Sequence, residues 1–285
     1  VGRTYDTVSF LSDFGTADEF VGVVHSVIRE RARHATVIDI THQIPAFDVR
    51  AGSLALARAI QYVASGVVLA IVDPGVGTDR RAVAIQVAGG EGVIVGPDNG
   101  LLAPAVAMAG GAERAVVLTN TELHLAAPGA TFAGRDVFAP VVAHLCNGAD
   151  LSELGDEIDP GLLLPGVVPL SREEDGNLVA EVLWVDRFGN AQLNVGPEEL
   201  DGWGDKVQLR WSDEARTASV ATSYGEVGAG IGLVVDSYGL LAVALDRRSA
   251  ADELHLAAGD GVTLVRLTDD DRRPAPTPVP FPTTR

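Results

Sequence analysis

The sequence predicts an α/β protein: an N-terminal domain on a mostly parallel sheet, followed by an antiparallel β-barrel. Three features lead there. Up to about residue 162, short apolar runs alternate with segments of helical period, the pattern of βαβ units. A stretch rich in Leu and Pro and then in charge, 163–176, interrupts that pattern and reads as a linker. Beyond it the helical period stops, and short strand-like runs alternate with Gly-rich turns. The expected organisation is therefore 1–162 as the α/β domain, 177–268 as the barrel, and 269–285 as a Pro-rich, disordered tail.

The elements follow in order. Residues 7–11 (TVSFL) read as the first strand, and Ser12-Asp13-Phe14-Gly15-Thr16 leaves its carboxyl end. Asp18 suits an N-cap, because Phe20, Val21, Val24, Val27 and Ile28 recur at helical spacing. Residues 36–40 are a second strand, and Asp48 caps a helix running to about Tyr62. Residues 67–72 form a continuous apolar run, read as a buried parallel strand. Strands near 82–87, 92–95 and 115–118 follow, with helices over 101–108 and 137–146. In the second domain, 178–185, 191–195, 206–211, 232–235, 240–245 and 261–267 read as strands.

Composition narrows the function. Lys plus Arg number 21 against 39 Asp plus Glu, a formal net charge of −18, which excludes the basic footprint of a nucleic-acid binder. No apolar run reaches the ~18–20 residues that span a bilayer, and no leader with a basic start and apolar core is seen. The single Cys146 can form no internal disulfide, which suits the reducing cytoplasm. The expectation is a cytoplasmic protein without nucleic-acid or membrane partners.

Candidate chemistry gathers in the loops after the strands, where parallel sheets bind ligands. In Val72-Asp73-Pro74-Gly75-Val76-Gly77-Thr78-Asp79-Arg80-Arg81 an acid opens the loop and Arg80 closes it. The pair reads either as a staple across the turn or as part of a site. Asp13 and Asp18 flank a Gly turn, as turn former and cap or as ligands for hydroxyl and ammonium groups. Phe47 and the loop with Thr131 and Phe132 fall at the same end of the sheet. Asp186-Arg187-Phe188-Gly189-Asn190 reads as a hairpin turn, or as an amide beside an aromatic ring that reads a heterocycle edge. His25, His34, His42, His124, His144 and His255 show no local ligand spacing, so no metal is expected. No Gly-x-Ser-x-Gly elbow supplies a covalent nucleophile.

Taken in order, Ser12-Asp13-Phe14-Gly15-Thr16, Val72-Asp73-Pro74-Gly75-Val76-Gly77, Pro97-Asp98-Asn99-Gly100, Thr131-Phe132 with Gly134-Arg135-Asp136, and Phe188-Gly189-Asn190 resemble the S-adenosyl-L-methionine (SAM) hydroxide adenosyltransferases. Fluorinases and chlorinases share that superfamily. The resemblance implies hydrolysis of SAM to adenosine and methionine without a cofactor, in a homotrimer whose sites lie between subunits. It implies that Asp13 holds the ribose, with Phe47 near the sugar and Phe132 in the same pocket. Asp18, Asp186 and Ser237 would take the methionine end. Phe188, Asn190 and Tyr224 would contact adenine, helped by backbone near Arg247. Asp73 and Arg80 match two members of an Asp/Arg/His catalytic set, but Ala133 stands where the family hydrolases carry His.

The implied reaction needs only an oxygen nucleophile in line behind C5′, because a sulfonium is already an excellent leaving group. Aspartate, with an unperturbed pKa of ~3.9, is a poor base near neutrality, so Asp73 is expected to orient the water. Arg80 is expected to stabilise hydroxide character, and the absent His would be the better proton acceptor. A halogenase is the alternative within the superfamily. Against it, Val76 stands where fluorinases carry a halide-contacting Thr, and the link at 89–92 is short where they carry a long insertion. A SAM- or adenosine-binding protein without turnover is the other alternative, given Ala133.

Overall fold

The computed structural model describes residues 2–267; the tail expected at 269–285 lies outside them. The chain divides into two compact units, Val1–Val168 and Pro169–Arg285. The first carries β1 (Thr7–Ser12), α1 (Phe20–Arg31), β2 (Thr36–Thr41), α2 (Val49–Ile60), β3 (Val67–Ile71), β4 (Ala82–Val87), β5 (Gly92–Pro97), α3 (Ala103–Met108), β6 (Arg114–Val117), α4 (Ala139–Cys146) and β7 (Asp156–Ile158).

Its seven strands lie in the order β2-β1-β3-β5-β4-β6-β7. The pairs β1–β2, β1–β3 and β3–β5 are parallel, and β4, β6 and β7 extend the sheet antiparallel. The parallel-rich sheet expected from the sequence is present. Alternation along the strands feeds two cores. Phe10, Leu69 and Ile71 pack with Val24 and Ile28 of α1 and Val142 of α4. Leu11, Val68 and Ala70 pack on the opposite face with Leu56 of α2 and Ala105 of α3. Helices thus cover both faces, as a buried parallel sheet requires.

Topology locates the site. The chain leaves β1 toward β2, then returns past β1 to β3, so winding reverses between β1 and β3. At such a switch point the two loops diverge and leave a crevice at the carboxyl ends of the strands. Asp13 and Asp73 follow these two strands, and the Asp13 N–H bonds the Ile71 carbonyl at 3.3 Å.

The second unit holds β8 (Arg172–Glu174), β9 (Asn177–Val185), β10 (Ala191–Leu193), β11 (Lys206–Trp211), β12 (Glu214–Ala221), β13 (Ile231–Val235), β14 (Leu241–Ala244), α5 (Ala250–Leu254) and β15 (Gly261–Arg266). The order β10-β14-β13-β12-β11-β15-β9-β8, with β10 also paired to β9, closes a barrel and leaves β8 as a flank. One pair within it, β12–β13, is parallel. β8 falls inside the stretch read as a linker. Leu178, Val182, Leu209, Leu233, Val243 and Leu264 fill the interior.

Local expectations fare unevenly. Asp48 caps α2, accepting the Ala51 N–H at 2.8 Å. Asp18 caps nothing: α1 begins one residue later than that role requires, and its N-cap position, Glu19, makes no side-chain cap bond. We expect Asp48→Ala to cost about 1 kcal/mol, the usual worth of an N-cap, read as a lower urea midpoint at unchanged m-value.

Candidate functional site

A cavity of about 400 Å³ opens at the switch point, walled by Asp13, Phe14, Asp18, Phe20, Phe47, Asp73, Val76, Phe132 and Ala133 among others. Asp13 Oδ2 accepts the Phe47 backbone N–H at 2.9 Å. To present that N–H, Phe47 adopts a positive φ of 68°, an uncommon state for a bulky residue. Such a conformation costs on the order of 1–3 kcal/mol and marks a loop held for a purpose.

Asp73 closes the cavity floor with its side chain only 5% exposed. Arg80 Nε donates to Asp73 Oδ1 at 2.8 Å and Nη2 donates to Oδ2, a bidentate clamp. The intervening loop is wound tight: Val76 N–H bonds the Asp73 carbonyl at 3.2 Å, and Thr78 Oγ1 donates to the Gly75 carbonyl at 2.7 Å. Arg80 itself lines no part of this cavity. Its guanidinium lies over the Phe138 ring, 5.4 Å from the centroid. Pro97-Asp98-Asn99-Gly100 also lies outside the cavity wall. Asn99 Nδ2 donates to the Val72 carbonyl at 2.9 Å, and so braces the strand end that carries Asp73.

Phe14, Phe20 and Phe132 cluster with centroids 5.0–5.9 Å apart; Phe132 meets the other two edge to face, and Phe14 and Phe20 are tilted at 51°. Arg135 stacks over Phe132 at 5.1 Å while its Nε donates to Asp136 Oδ1 at 2.6 Å. The chain then makes a single π turn, Gly134–Phe138, before α4. Such turns recur at functional sites. Ala133 enters that turn with helical φ and ψ, buried against the core and among the residues that line the cavity.

A second cavity, about 870 Å³, lies on the barrel unit and is walled by Asp186, Phe188, Asn190, Tyr224, Asp236, Ser237, Arg247 and others. Two turns of one design border it. In Asp186-Arg187-Phe188-Gly189-Asn190, Asp186 Oδ1 accepts the N–H groups of Phe188 and Asn190, both at 2.8 Å. In Asp236-Ser237-Tyr238-Gly239-Leu240, Asp236 Oδ1 accepts those of Tyr238 at 2.8 Å and Leu240 at 3.2 Å. Asp186 Oδ2 also takes Asn190 Nδ2 at 2.8 Å. The first carboxylate is therefore engaged within its own turn. Phe188 stands 78% exposed, an apolar ring facing solvent. Burial pushes the Tyr224 phenol above its ordinary pKa, and the charges of Asp186 and Asp236 add to the shift.

The structure thus gathers the sequence-predicted residues into two groups. Asp13, Asp18, Phe47, Asp73, Phe132 and Ala133 wall the first cavity; Asp186, Phe188, Asn190, Tyr224, Ser237 and Arg247 wall the second. Asp236 escaped the sequence reading. Its one signal was the repeat of Asp-x-aromatic-Gly-x, visible only when both pentapeptides are set side by side.

Carboxylates at the switch point of an α/β sheet, and an aromatic-rimmed pocket on a β-barrel, define the class: a two-unit ligand-binding protein. Residues 8–155 match the family model of the SAM hydroxide adenosyltransferase N-terminal domain, and residues 180–263 that of its C-terminal domain. The chain belongs to the SAM hydroxide adenosyltransferase family. It is 45% identical over 254 residues to the (R)-S-adenosyl-L-methionine hydrolase of Salinispora tropica, covering 89% of this chain and 95% of that one. To the (R)-S-adenosyl-L-methionine hydrolase of Thermus thermophilus it is 41% identical over 267 residues, covering 90% and 99%. A crystal structure of an uncharacterized conserved protein from Thermotoga maritima superposes with a TM-score of 0.83 at 33% identity, covering 91% of this chain and all of that one.

Gly189 offers a direct test of the barrel turn. Its φ is +82°, and a Cβ there would lie 2.1 Å from Ser249 Oγ and 2.6 Å from Ser249 Cα. We expect Gly189→Ala to destabilise the chain by ~1–3 kcal/mol, the cost of a strained left-handed residue, measured by urea denaturation. An unchanged midpoint would show that the turn relaxes freely.

Proposed function

We propose that this chain hydrolyses SAM to adenosine and L-methionine. A water oxygen forms the bond to C5′ as the C5′–sulfur bond breaks, its electron pair leaving with methionine and one proton passing to solvent. The observation that carries this reading is Asp73, fixed by Arg80 on the floor of a cavity that also holds Asp13. A carboxylate locked at both oxygens cannot swing, so it holds an attacking water in one orientation. The named relatives support the same substrate and reaction. In this reading Arg80 fixes Asp73 through both carboxylate oxygens, and its charge stabilises hydroxide character on the water that Asp73 orients. No cofactor is called for, since the sulfonium is itself the leaving group.

In this reading Asp13 binds the ribose hydroxyls beside Phe47, and Asp18, free of any capping duty, reaches the methionine ammonium. Phe188, Asn190 and Tyr224 receive the adenine, with backbone near Arg247. Ser237 and Asp186 border the methionine end. The reading further places SAM between the first unit of one subunit and the second unit of its neighbour in a homotrimer, working in the cytoplasm. A single chain would then hold only half-sites, and light scattering should give a trimer mass. A monomer that binds SAM tightly would overturn the shared site.

Ala133 favours a second reading, a SAM-binding protein without turnover. Incubation with SAM and detection of adenosine and methionine separates the two: binding by thermal shift with no product supports the second and overturns the first. Restoring an imidazole sharpens the test. Ala133 has helical backbone angles that His also adopts, and it lines the cavity from a buried position at the edge of the core. We expect Ala133→His to raise single-turnover hydrolysis by ~10²-fold or more, within the range of a positioned general base, with SAM affinity little changed. Equal rates would remove this position from the catalytic set.

A further inference from the structure

His25 on α1, Asp39 on β2 and His42 in the following loop converge on one point. His25 Nε2 lies 2.8 Å from Asp39 Oδ1, and His42 Nε2 lies 3.0 Å from the same oxygen. The three donor atoms all fall within 4.8 Å of one another. We infer that this cluster is a binding site for a divalent ion of the zinc class, separate from the cavity of Asp13 and Asp73.

The state of His42 carries the inference. Its side chain is 4% exposed, yet Nε2 makes no hydrogen bond. It stands 3.0 Å from Asp39 Oδ1, but the pair does not meet the geometry of a hydrogen bond. Asp39 Oδ1 is hydrogen-bonded to His25 Nε2, so the unsatisfied donor or acceptor in the cluster is the buried His42 Nε2, beside two groups that can share an ion with it. The other nitrogen, Nδ1, sits 2.7 Å from Ser12 Oγ, the outer contact that orients a ligating imidazole. Phe10 walls the site, with its ring 4.6 Å from the His42 ring and 6.1 Å from that of His25. His25 and Asp39 are each partly exposed, which leaves a path for the ion.

Two imidazoles and one carboxylate are donors that zinc accepts at about 2.0–2.2 Å, with water completing a tetrahedron. Ligand atoms then stand about 3.3 Å apart, so the two Asp39 contacts need open by only a few tenths of an ångström. The consequence is positional. Ser12 directly precedes Asp13, and the His42 carbonyl accepts the Gly15 N–H at 2.8 Å. An ion on His42 would stiffen the turn that presents Asp13.

The test uses the full chain, stripped with chelator and titrated with Zn²⁺ against a chromophoric competitor, and with Co²⁺ followed by its visible absorption. We expect one equivalent bound at micromolar Kd or tighter, Co²⁺ bands of a four- or five-coordinate N/O site, and a raised Tm. His25→Ala and Asp39→Asn should each weaken Zn²⁺ at least tenfold and abolish the Tm gain, with circular dichroism unchanged. His25 is a partly exposed helix residue, so its variant remains diagnostic even where a His42 variant fails to fold. Absence of saturable binding would overturn the site. So would equal affinity in His25→Ala, or equal competition by Ca²⁺, which would assign the ion to the acidic surface at large.

Discussion

The reversal of winding between β1 and β3 is the constraint on which the first unit's chemistry depends. Loops that leave adjacent parallel strands in opposite directions cannot pack on each other, so a crevice opens between them. Asp13, Asp18 and Asp73 in the first cavity are placed by that geometry. Asp13 and Asp73 are brought side by side because their strands are hydrogen-bonded neighbours, although the residues are far apart in the chain. The helices on both faces keep the strands dry and rigid beneath them.

Rigidity at the crevice then passes to the side chains. The Asp73–Arg80 pair is almost wholly out of water, with the two side chains 5% and 15% exposed. Desolvating such a pair offsets much of its attraction, so it adds little to net stability; losing one partner instead strands a buried charge, at about 3–5 kcal/mol. The arrangement is therefore better understood as a device for orientation than as a source of stability. Phe138 beneath Arg80 and Asn99 on the Val72 carbonyl serve the same end, one holding the guanidinium and the other the strand end. This is why Pro97-Asp98-Asn99-Gly100 accompanies the site without entering it.

Legibility from sequence tracked the strength of the physical signal. Continuous apolar runs such as 67–72 and helical periods such as that of α2 were readable because burial dictates them. β7 and β12 were not: β7 is mostly exposed, and the first half of β12 is polar and exposed, so neither shows alternation. α5 has five residues, too few for a period. Asp18 misled at the level of local propensity, since a good capping residue precedes a helix yet stands one position too early. Candidate site residues came from loops and family motifs, and all but Arg80 line a cavity. What stayed invisible was tertiary: that Arg80 is seated over Phe138, and that His25, Asp39 and His42 meet although no local spacing joins them.

The barrel pocket shows how little sequence a site requires when a turn is used twice. Asp186 and Asp236 each fold their own pentapeptide by accepting the N–H groups two and four residues on, and each turn needs a Gly at positive φ, Gly189 at 82° and Gly239 at 85°. Each N–H bound inward is one fewer that must be satisfied by water or ligand, so the loop is set before anything binds. The aromatic at the third position is exposed in both turns, Phe188 at 78% and Tyr238 at 42%. An exposed ring on a fixed loop is a poor use of apolar surface in a free chain. It becomes a good one when a flat heterocycle covers it, because little ordering entropy is then left to lose. The same logic links Phe47 to Asp13: in both units, backbone strained or saturated in advance holds an exposed aromatic beside a carboxylate.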